Sequence, residues 1–499
     1  MNSPHTLTCF DIFEKNALYN GPACAVHWND TNITYADLFM QITKLAGGLN
    51  RLNLPAKSRI AVLCKNHPVF FHLLGAASAL NLTLVLINRR LSLDEIFHII
   101  EDTTPTVFIC DSEMAEQAKN AAKSVSSIRH YYVVDEDKDF SALYDSPPLQ
   151  KISPIGPKDP YIIIHTAAVQ GKPRGAVLSQ ENILLSNQQI IQTYGLDRTK
   201  VYLNILPLFH IMGINMSLGT IQAGGKNILQ EKFDPKKTLA LIQEQNVNIF
   251  GSFPPILSNL MDAMQDDKYD LSSLEIAAGL EMPETVKKWE ACTGSKFWTM
   301  YGQTETSGLI TFTEYFKKPG SAGAVSALAN IKIVDDFDNI LPAGATGEIV
   351  VRGPLVFQGY WNAEELNALT FREGRHHTGD LGMIDSEGFL FFKGRKAERE
   401  LIKPGGENVF PAEVEKAILK HEAVNEVCVF GVPDPKFGEG IKAVCSLNPG
   451  KSLTKEDLIK FCGSLIAGYK KPRYVEFVNV LPKTENGTID RNKIKAEYA

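Results

Sequence analysis

Nothing in this chain approaches the roughly 18 consecutive apolar residues that a membrane span needs. Its first residues, Met1-Asn-Ser-Pro-His-Thr6, lack the basic region and apolar core of a signal peptide. Clustered cysteines are missing as well. Cys9, Cys24, Cys64, Cys110, Cys292, Cys428, Cys445 and Cys462 lie far apart, with no C-x-x-C pair. That spacing argues against metal ligation and against a disulfide framework, so a reducing cytoplasm is the expected compartment and most thiols read as small buried apolar groups. Basic charge is also short. A formal net charge of −6 leaves no electrostatic footprint for nucleic acid. No internal repeat or low-complexity stretch breaks the chain. Nor is there a P-loop, because Gly171 and Gly175 are too close for G-x-x-x-x-G-K-[ST] and no Lys-Ser or Lys-Thr follows.

What is present is ordinary for a soluble globular protein. Of the 499 residues 44% are hydrophobic and 22% charged, and the length suits roughly two to four domain-sized units. Strand-like and helix-like runs alternate up to about residue 160. Ile60–Cys64, Leu82–Ile87 and Thr106–Cys110 read as strands, and 70–79 and 92–100 as helices. Such alternation predicts an α/β fold with parallel-rich sheets.

Tyr161–Ile164 reads as a further buried strand that runs into a Gly/Pro loop holding Lys172 and Arg174. A helix capped by Ser179 is expected after it. A strand, a glycine loop with two cations and a helix start together form a device for holding phosphate. Val201–His210 repeats the theme, a strand ending in a polar residue. In open α/β sheets ligands sit at the carboxyl ends of strands, which is where His165 and His210 fall. Phe297–Glu305 is another strand-to-loop passage, placing a hydroxyl at Thr304 and a carboxylate at Glu305, groups suited to phosphate and Mg²⁺. Short strands with Gly turns fill 320–395 and predict a small barrel or β-subdomain. The charged run Arg395–Glu400 has the position of a linker. Beyond it a separate small α+β unit is expected, with a helix over 413–420, strands over 424–430 and 443–447, and a Gly/Pro-rich loop over 431–440.

Taken in order, these segments resemble the superfamily of adenylate-forming enzymes that includes acyl-CoA synthetases, peptide-synthetase adenylation domains and luciferase. The likeness covers residues 10–495. Thr166–Gly175 is similar to the family's phosphate loop, T-S-G-T-T-G-x-P-K-G. Leu206-Pro-Leu-Phe-His210 is similar to its acyl-pocket motif, and Ala278-Gly-Leu-Glu-Met-Pro283 to the segment lining adenine. Tyr301-Gly-Gln-Thr-Glu305 matches Y-G-x-T-E, and Thr378-Gly-Asp380 the ribose-binding T-G-D. Gly394-Arg395 and Gly405-Gly-Glu-Asn-Val-Phe-Pro411 resemble the hinge and the loop beyond it.

The resemblance implies that a carboxylate attacks the α-phosphate of ATP, giving acyl-AMP, and that a thiol, usually that of CoA, then takes the acyl group and releases AMP. It implies Thr166, Gly171, Lys172, Arg174, Gly279, Tyr301, Gly302 and Asp380 as nucleotide-binding residues. Tyr301 would stack on adenine and Asp380 would accept from the ribose hydroxyls. His210, Thr304, Glu305 and Arg395 are the implied catalytic residues, with Mg²⁺ on Glu305. Phe209, His210, Met212 and Gly213 are the implied acyl pocket, for which Ile214 and Met216 offer further apolar lining. Lys403, Gly405, Gly406 and Glu407 would close on the CoA arm. The implied organisation is an adenylating unit over 1–394, a hinge over 395–400 with its pivot at Glu398 or Glu400, and a mobile C-terminal unit over 401–499.

Three places depart from the family pattern. The phosphate loop has Ala167, Ala168, Val169 and Gln170 where hydroxyls and a glycine are usual, and Arg174 replaces a lysine. Thr488 stands where the family has the lysine that neutralises charge during adenylate formation, leaving Lys483, Arg491 and Lys493 as nearby cations. The segment from Arg395 to Gly405 is two residues longer than the usual hinge. The leading expectation is an acyl-CoA synthetase taking ATP, Mg²⁺, CoA and a fatty, aryl or alicyclic acid. The run His421–Glu439 looks like the CoA ligases in particular, and Ile211–Asn215 offers no Asp to anchor an amino group. A homodimer is compatible with the family. Two alternatives follow from the same residues: transfer to the thiol of a partner carrier protein, and a weakened homologue that only binds nucleotide or acyl ligand.

Overall fold

The computed structural model of the chain describes residues 6–134, 137–166, 173–265, 268–396, 401–484 and 489–499. Short apolar runs become strands buried on both faces, as parallel sheets require. Thr83–Leu86 and Val107–Cys110 are buried at every position. They belong to a six-stranded sheet ordered His130–Val133, Val107–Cys110, Arg59–Leu63, Thr83–Leu86, Pro160–Thr166 and Arg174–Ser179. All its neighbours are parallel except the last pair.

That pair corrects one expectation. The phosphate loop does not lead straight into a helix; Arg174–Ser179 forms a strand running back antiparallel to Pro160–Thr166. Ser179 does cap a helix, Gln180–Tyr194, through a capping box with Asn182. The helix therefore starts one strand length away from Arg174.

A second sheet begins at the edge strand Thr31–Thr34, antiparallel to Cys24–Trp28, and runs on through the parallel strands Cys24–Trp28, Lys226–Leu229, Val201–Asn204, Ile249–Ser252, Ile276–Gly279 and Lys296–Gln303. It continues antiparallel through Gly308–Glu314, Gly323–Val325, Phe389–Arg395, Arg375–Ile384, Thr346–Arg352 and Asn330–Val334. The expected β-subdomain is thus an open extension joined edge to edge with the parallel strands, not a closed barrel. Val201–Asn204 is shorter than the sequence suggested. Pro207 cannot donate to a ladder, and the Asn204 side chain accepts from Leu206 N at 3.2 Å. His210 consequently sits not at a strand end but at the N-cap position of helix Ile211–Ala223.

Residues 401–499 carry the three-stranded sheet Val424–Asp434, Gly438–Leu447, Tyr474–Val478. Helices Pro411–Ile418 and Lys455–Leu465 supply Val414, Ile418 and Leu458 to a core with Val429 and Ile441. The expected loop over 431–440 is mostly strand: the two long strands stay paired out to Asp434 and Gly438. All eight cysteines are free, six of them buried. Among the described residues no helix is long and apolar enough to cross a membrane.

Candidate active site

One cavity of about 1250 Å³ opens at the carboxyl ends of the parallel strands, where Thr166, Leu206, Phe253, Leu280 and Gln303 end their strands or follow them. Residues 401–410 and 489–495 supply much of the opposite wall.

At one end Asp380 is the hub. Tyr301 donates its hydroxyl to Asp380 Oδ2 at 2.8 Å and Gln303 Nε2 donates to the same oxygen at 2.7 Å. Arg395 Nε lies 3.1 Å from the other oxygen, Oδ1. Asp380 and Arg395 are register partners on neighbouring strands, so the ladder itself places the ion pair. Burial, then the charge of Asp380, pushes the Tyr301 phenol well above its ordinary range. The ring stays a neutral, rigid slab against Phe392, with centroids 6.2 Å apart. This corner offers a carboxylate fixed as an acceptor, a guanidinium and an aromatic face.

Beside it, Glu305 Oε1 accepts from Thr166 Oγ1 at 3.1 Å and from the Tyr360 hydroxyl at 2.8 Å. Two hydroxyl donors on one oxygen fix the orientation of the carboxyl group. Arg174 lies over the Tyr360 ring, 5.9 Å from its centroid, and Thr304 lines the same wall. Among the described residues no group of three or more His, Cys, Asp or Glu side chains could hold a metal alone. A single carboxylate still fits Mg²⁺, which usually completes its shell with water and substrate phosphates.

The far end is apolar. Ile205, Leu206, Ile211, Met212, Phe253, Ile256, Met300 and Leu309 line it, with Gly213 and Gly308 giving room. Over its mouth lies Glu407, which is buried. Its Oε1 accepts from Arg90 Nη1 at 2.5 Å and is 3.4 Å from His210 Nε2, while Oε2 accepts from Asn88 Nδ2 at 3.3 Å. Burial pushes this carboxyl up, but His210 and Arg90 outweigh it and hold it down at about 2. Gly405 (φ +59°) and Gly406 (φ +85°) take the left-handed turn that brings Glu407 in. Their missing Cβ atoms leave space for the Pro254 carbonyl and the Phe253 ring. Burial, then the Arg395 guanidinium, pushes the ammonium of nearby Lys403 down to about 8.

The structure therefore gathers Thr166, Arg174, His210, Met212, Gly213, Tyr301, Gly302, Thr304, Glu305, Asp380, Arg395, Lys403, Gly405, Gly406 and Glu407 around one space. It does not bring in Phe209, Ile214 or Met216, which are packed into the cores. Phe209 precedes the helix Ile211–Ala223, Ile214 lies on the face opposite Met212, and Met216 lies one turn deeper along the helix. Gly279 lies beneath the wall, where an added Cβ would meet the Ser252 carbonyl at 1.7 Å. Gly171, Lys172, Glu398, Glu400 and Thr488 lie outside the described residues. Of the nearby cations, Lys483 pairs with Glu426 at 2.8 Å. Lys493 is exposed, and Arg491 lines the cavity while bonding Glu415 at 2.5 Å.

Sequence reasoning missed Gln303, Tyr360, Asn88 and Arg90. Gln303 is the variable position inside a matched motif, and Asn88 and Arg90 follow the strand Thr83–Leu86, so the strand-end rule could have found them. Tyr360 carried no local signal.

Residues 13–361 match the AMP-binding enzyme family, and residues 413–488 match the AMP-binding enzyme C-terminal domain. A feruloyl-CoA synthase of an Amycolatopsis species is 31% identical over 97% of this chain and 98% of its own. An indoleacetate–CoA ligase of Aromatoleum aromaticum is 29% identical over 94% of each chain. A solved structure of a double mutant of o-succinylbenzoate CoA synthetase from Bacillus subtilis superposes with a TM-score of 0.86, covering 98% of both chains at 26% identity.

Proposed function

Because the chain belongs to the AMP-binding enzyme family, we propose that it is an AMP-forming acid–thiol ligase joining an apolar carboxylic acid to CoA. The observation that supports this most strongly is the cavity itself. It runs from the Asp380–Arg395 corner, past Glu305, to an apolar end that Glu407 and His210 close. The cavity lining suits an uncharged aryl or fatty acyl group, and the relatives, a feruloyl-CoA synthase and an indoleacetate–CoA ligase, lie in that range.

In the first step a carboxylate oxygen of the acid attacks the α-phosphorus of ATP and the bond to pyrophosphate breaks. Asp380 accepts from the ribose hydroxyls, and Tyr301, immobilised by its bond to Asp380, presents a face to adenine. Arg395, Thr304 and Arg174 offset charge on the phosphates, a task that Lys172 shares from outside the described residues. Glu305 would hold Mg²⁺, which when bound polarises the phosphoryl oxygens. In the second step the CoA sulfur attacks the acyl carbon and AMP leaves. Gly405, Gly406 and Glu407 shut the mouth against water and orient His210 beside the reacting carbonyl. We assign the adenylating unit to 1–394, the pivot to 395–400 and the swinging unit to 401–499; the arrangement with Glu407 docked is the one for the second step. A cytoplasmic location and a homodimer belong to the same proposal and rest on family likeness.

The test is ATP- and CoA-dependent thioester formation over a panel of aryl, alicyclic and fatty acids with Mg²⁺, following AMP and pyrophosphate together. One acid should give thioester, AMP and pyrophosphate in equal amounts. Release of ADP instead, or nucleotide binding with no turnover of any acid, would overturn the assignment.

A further inference from the structure

Behind the Asp380–Arg395 pair lies a ring of bonds closed by Glu348 and Lys396, which none of the matched motifs includes. Between Glu348 and Val350 the pairing of strand Thr346–Arg352 with Arg375–Ile384 slips, so that Thr378-Gly379-Asp380 bulges out of the ladder. A bulge leaves backbone groups without ladder partners, and buried ones must be satisfied otherwise. Here side chains do it. Thr378 Oγ1 donates to Ile349 O at 2.6 Å and accepts from Asp380 N at 3.1 Å. Gly379, at φ +71°, donates its N–H to Glu348 Oε1 at 2.9 Å. Its carbonyl accepts from Lys396 N at 3.1 Å. Lys396 Nζ then closes the ring on Glu348 Oε2 at 3.0 Å.

We propose that Glu348 and Lys396 are positioning residues for nucleotide, a buried carboxylate and a lysine that lock the Gly379 turn so that Asp380 and Arg395 face the cavity together. The inference rests on the nucleotide-binding reading of that corner. Gly379 precedes Asp380 and Lys396 follows Arg395, so the ring grips both partners of the ion pair by the backbone. The carboxylate is 4% exposed, and a low-dielectric setting strengthens its bonds. His377 Nδ1 at 3.2 Å also faces Glu348 Oε2, and Arg372 Nη2 stands 3.8 Å from it. Glu348 therefore stays ionised and paired when Lys396 is removed, which makes the lysine the cleaner handle. Lys396 lies at the start of the proposed 395–400 pivot, so the ring ties that start to the strand Thr346–Arg352.

The experiment is calorimetric titration of the full chain with AMP, beside thermal unfolding, for wild type, Lys396→Met, Lys396→Arg, Glu348→Gln and the double variant Glu348→Gln/Lys396→Met. Lys396→Met keeps the stem and the backbone donor, and Glu348→Gln keeps an acceptor for Gly379. Each should weaken AMP binding about tenfold, as loss of one charge-assisted bond does. Lys396→Arg should recover most of it. The double variant should be no worse than about the weaker single one, because both cut the same link. AMP affinity equal to wild type in both single variants, or losses that multiply in the double variant, would overturn the proposal. So would a lowered unfolding temperature with AMP affinity intact. A wild type that binds no AMP would instead refute the nucleotide-site reading.

Discussion

Replacing Glu407 by Gln tests how the second step is assembled. The substitution keeps size and hydrogen-bonding capacity but removes the charge that Arg90 and His210 face at 2.5 and 3.4 Å. Holding this carboxyl at about 2 instead of 4.5 corresponds to roughly 3 kcal/mol of preference for the docked carboxylate. Gln cannot realise it. The docked state should therefore lose on the order of 100-fold in population relative to undocked ones. The sign with pH follows. The folded value is depressed, so the contribution is full above about 4.5 and lost as pH falls from there through about 2. The Glu407 carboxyl should thus add no pH dependence to docking between about pH 6 and 9. The assay separates the half-reactions, with pyrophosphate exchange for adenylate formation and supplied acyl-AMP plus CoA for thioester formation. Glu407→Gln should slow the second by about one to two orders of magnitude and leave the first within a few-fold. Equal slowing of both, or no change in either, would refute the reasoning.

Three further outcomes follow. Lys470, 2% exposed, bonds Glu95 on helix Leu93–Thr103 and, at 2.6 Å, Glu413 on helix Pro411–Ile418. Breaking such a buried pair costs about 3–5 kcal/mol, so Lys470→Met should lower the unfolding temperature and slow the thioester step more than adenylation; an unchanged unfolding curve would contradict this. Gly302→Ala would put a Cβ 1.9 Å from the Gly308 carbonyl, forcing two strands apart beside Tyr301. Overpacking of this kind costs about 1–3 kcal/mol, and AMP affinity should drop with stability. Thr488→Lys should speed acyl-AMP formation, by up to ~10²–10³ if no other cation has taken that role; pyrophosphate exchange measures it, and no gain means another group already supplies the charge.

The alternation of apolar runs and turn residues made the α/β class legible, because strands such as Val107–Cys110 are continuous β-rich stretches buried on both faces. The ordered motifs located most of the cavity because several of them, at Thr166, Gly279 and Gln303, mark strand ends, where the sheet topology brings distant segments together. Hidden from the sequence were the features set by pairing partners. Whether Arg174–Ser179 is a strand or a helix start depends on a neighbour, Pro160–Thr166, that completes its ladder. That Ile214 points into the core while Met212 lines the cavity is decided by helix phase from the Ile211 start. Tyr360, 55 residues from Glu305, and Glu348, 31 from Gly379, act through contacts that no local pattern announces.

The central claim is that the acid's own oxygen bonds to the α-phosphorus before the thiol arrives, and isotope transfer tests it most directly. An acid accepted by the enzyme is labelled with ¹⁸O in its carboxylate and turned over with ATP, Mg²⁺ and CoA. AMP and pyrophosphate are then weighed by mass spectrometry. The account predicts one ¹⁸O in each AMP, none in pyrophosphate and one left in the thioester carbonyl. Label appearing in pyrophosphate or in inorganic phosphate, with AMP unlabelled, would contradict it.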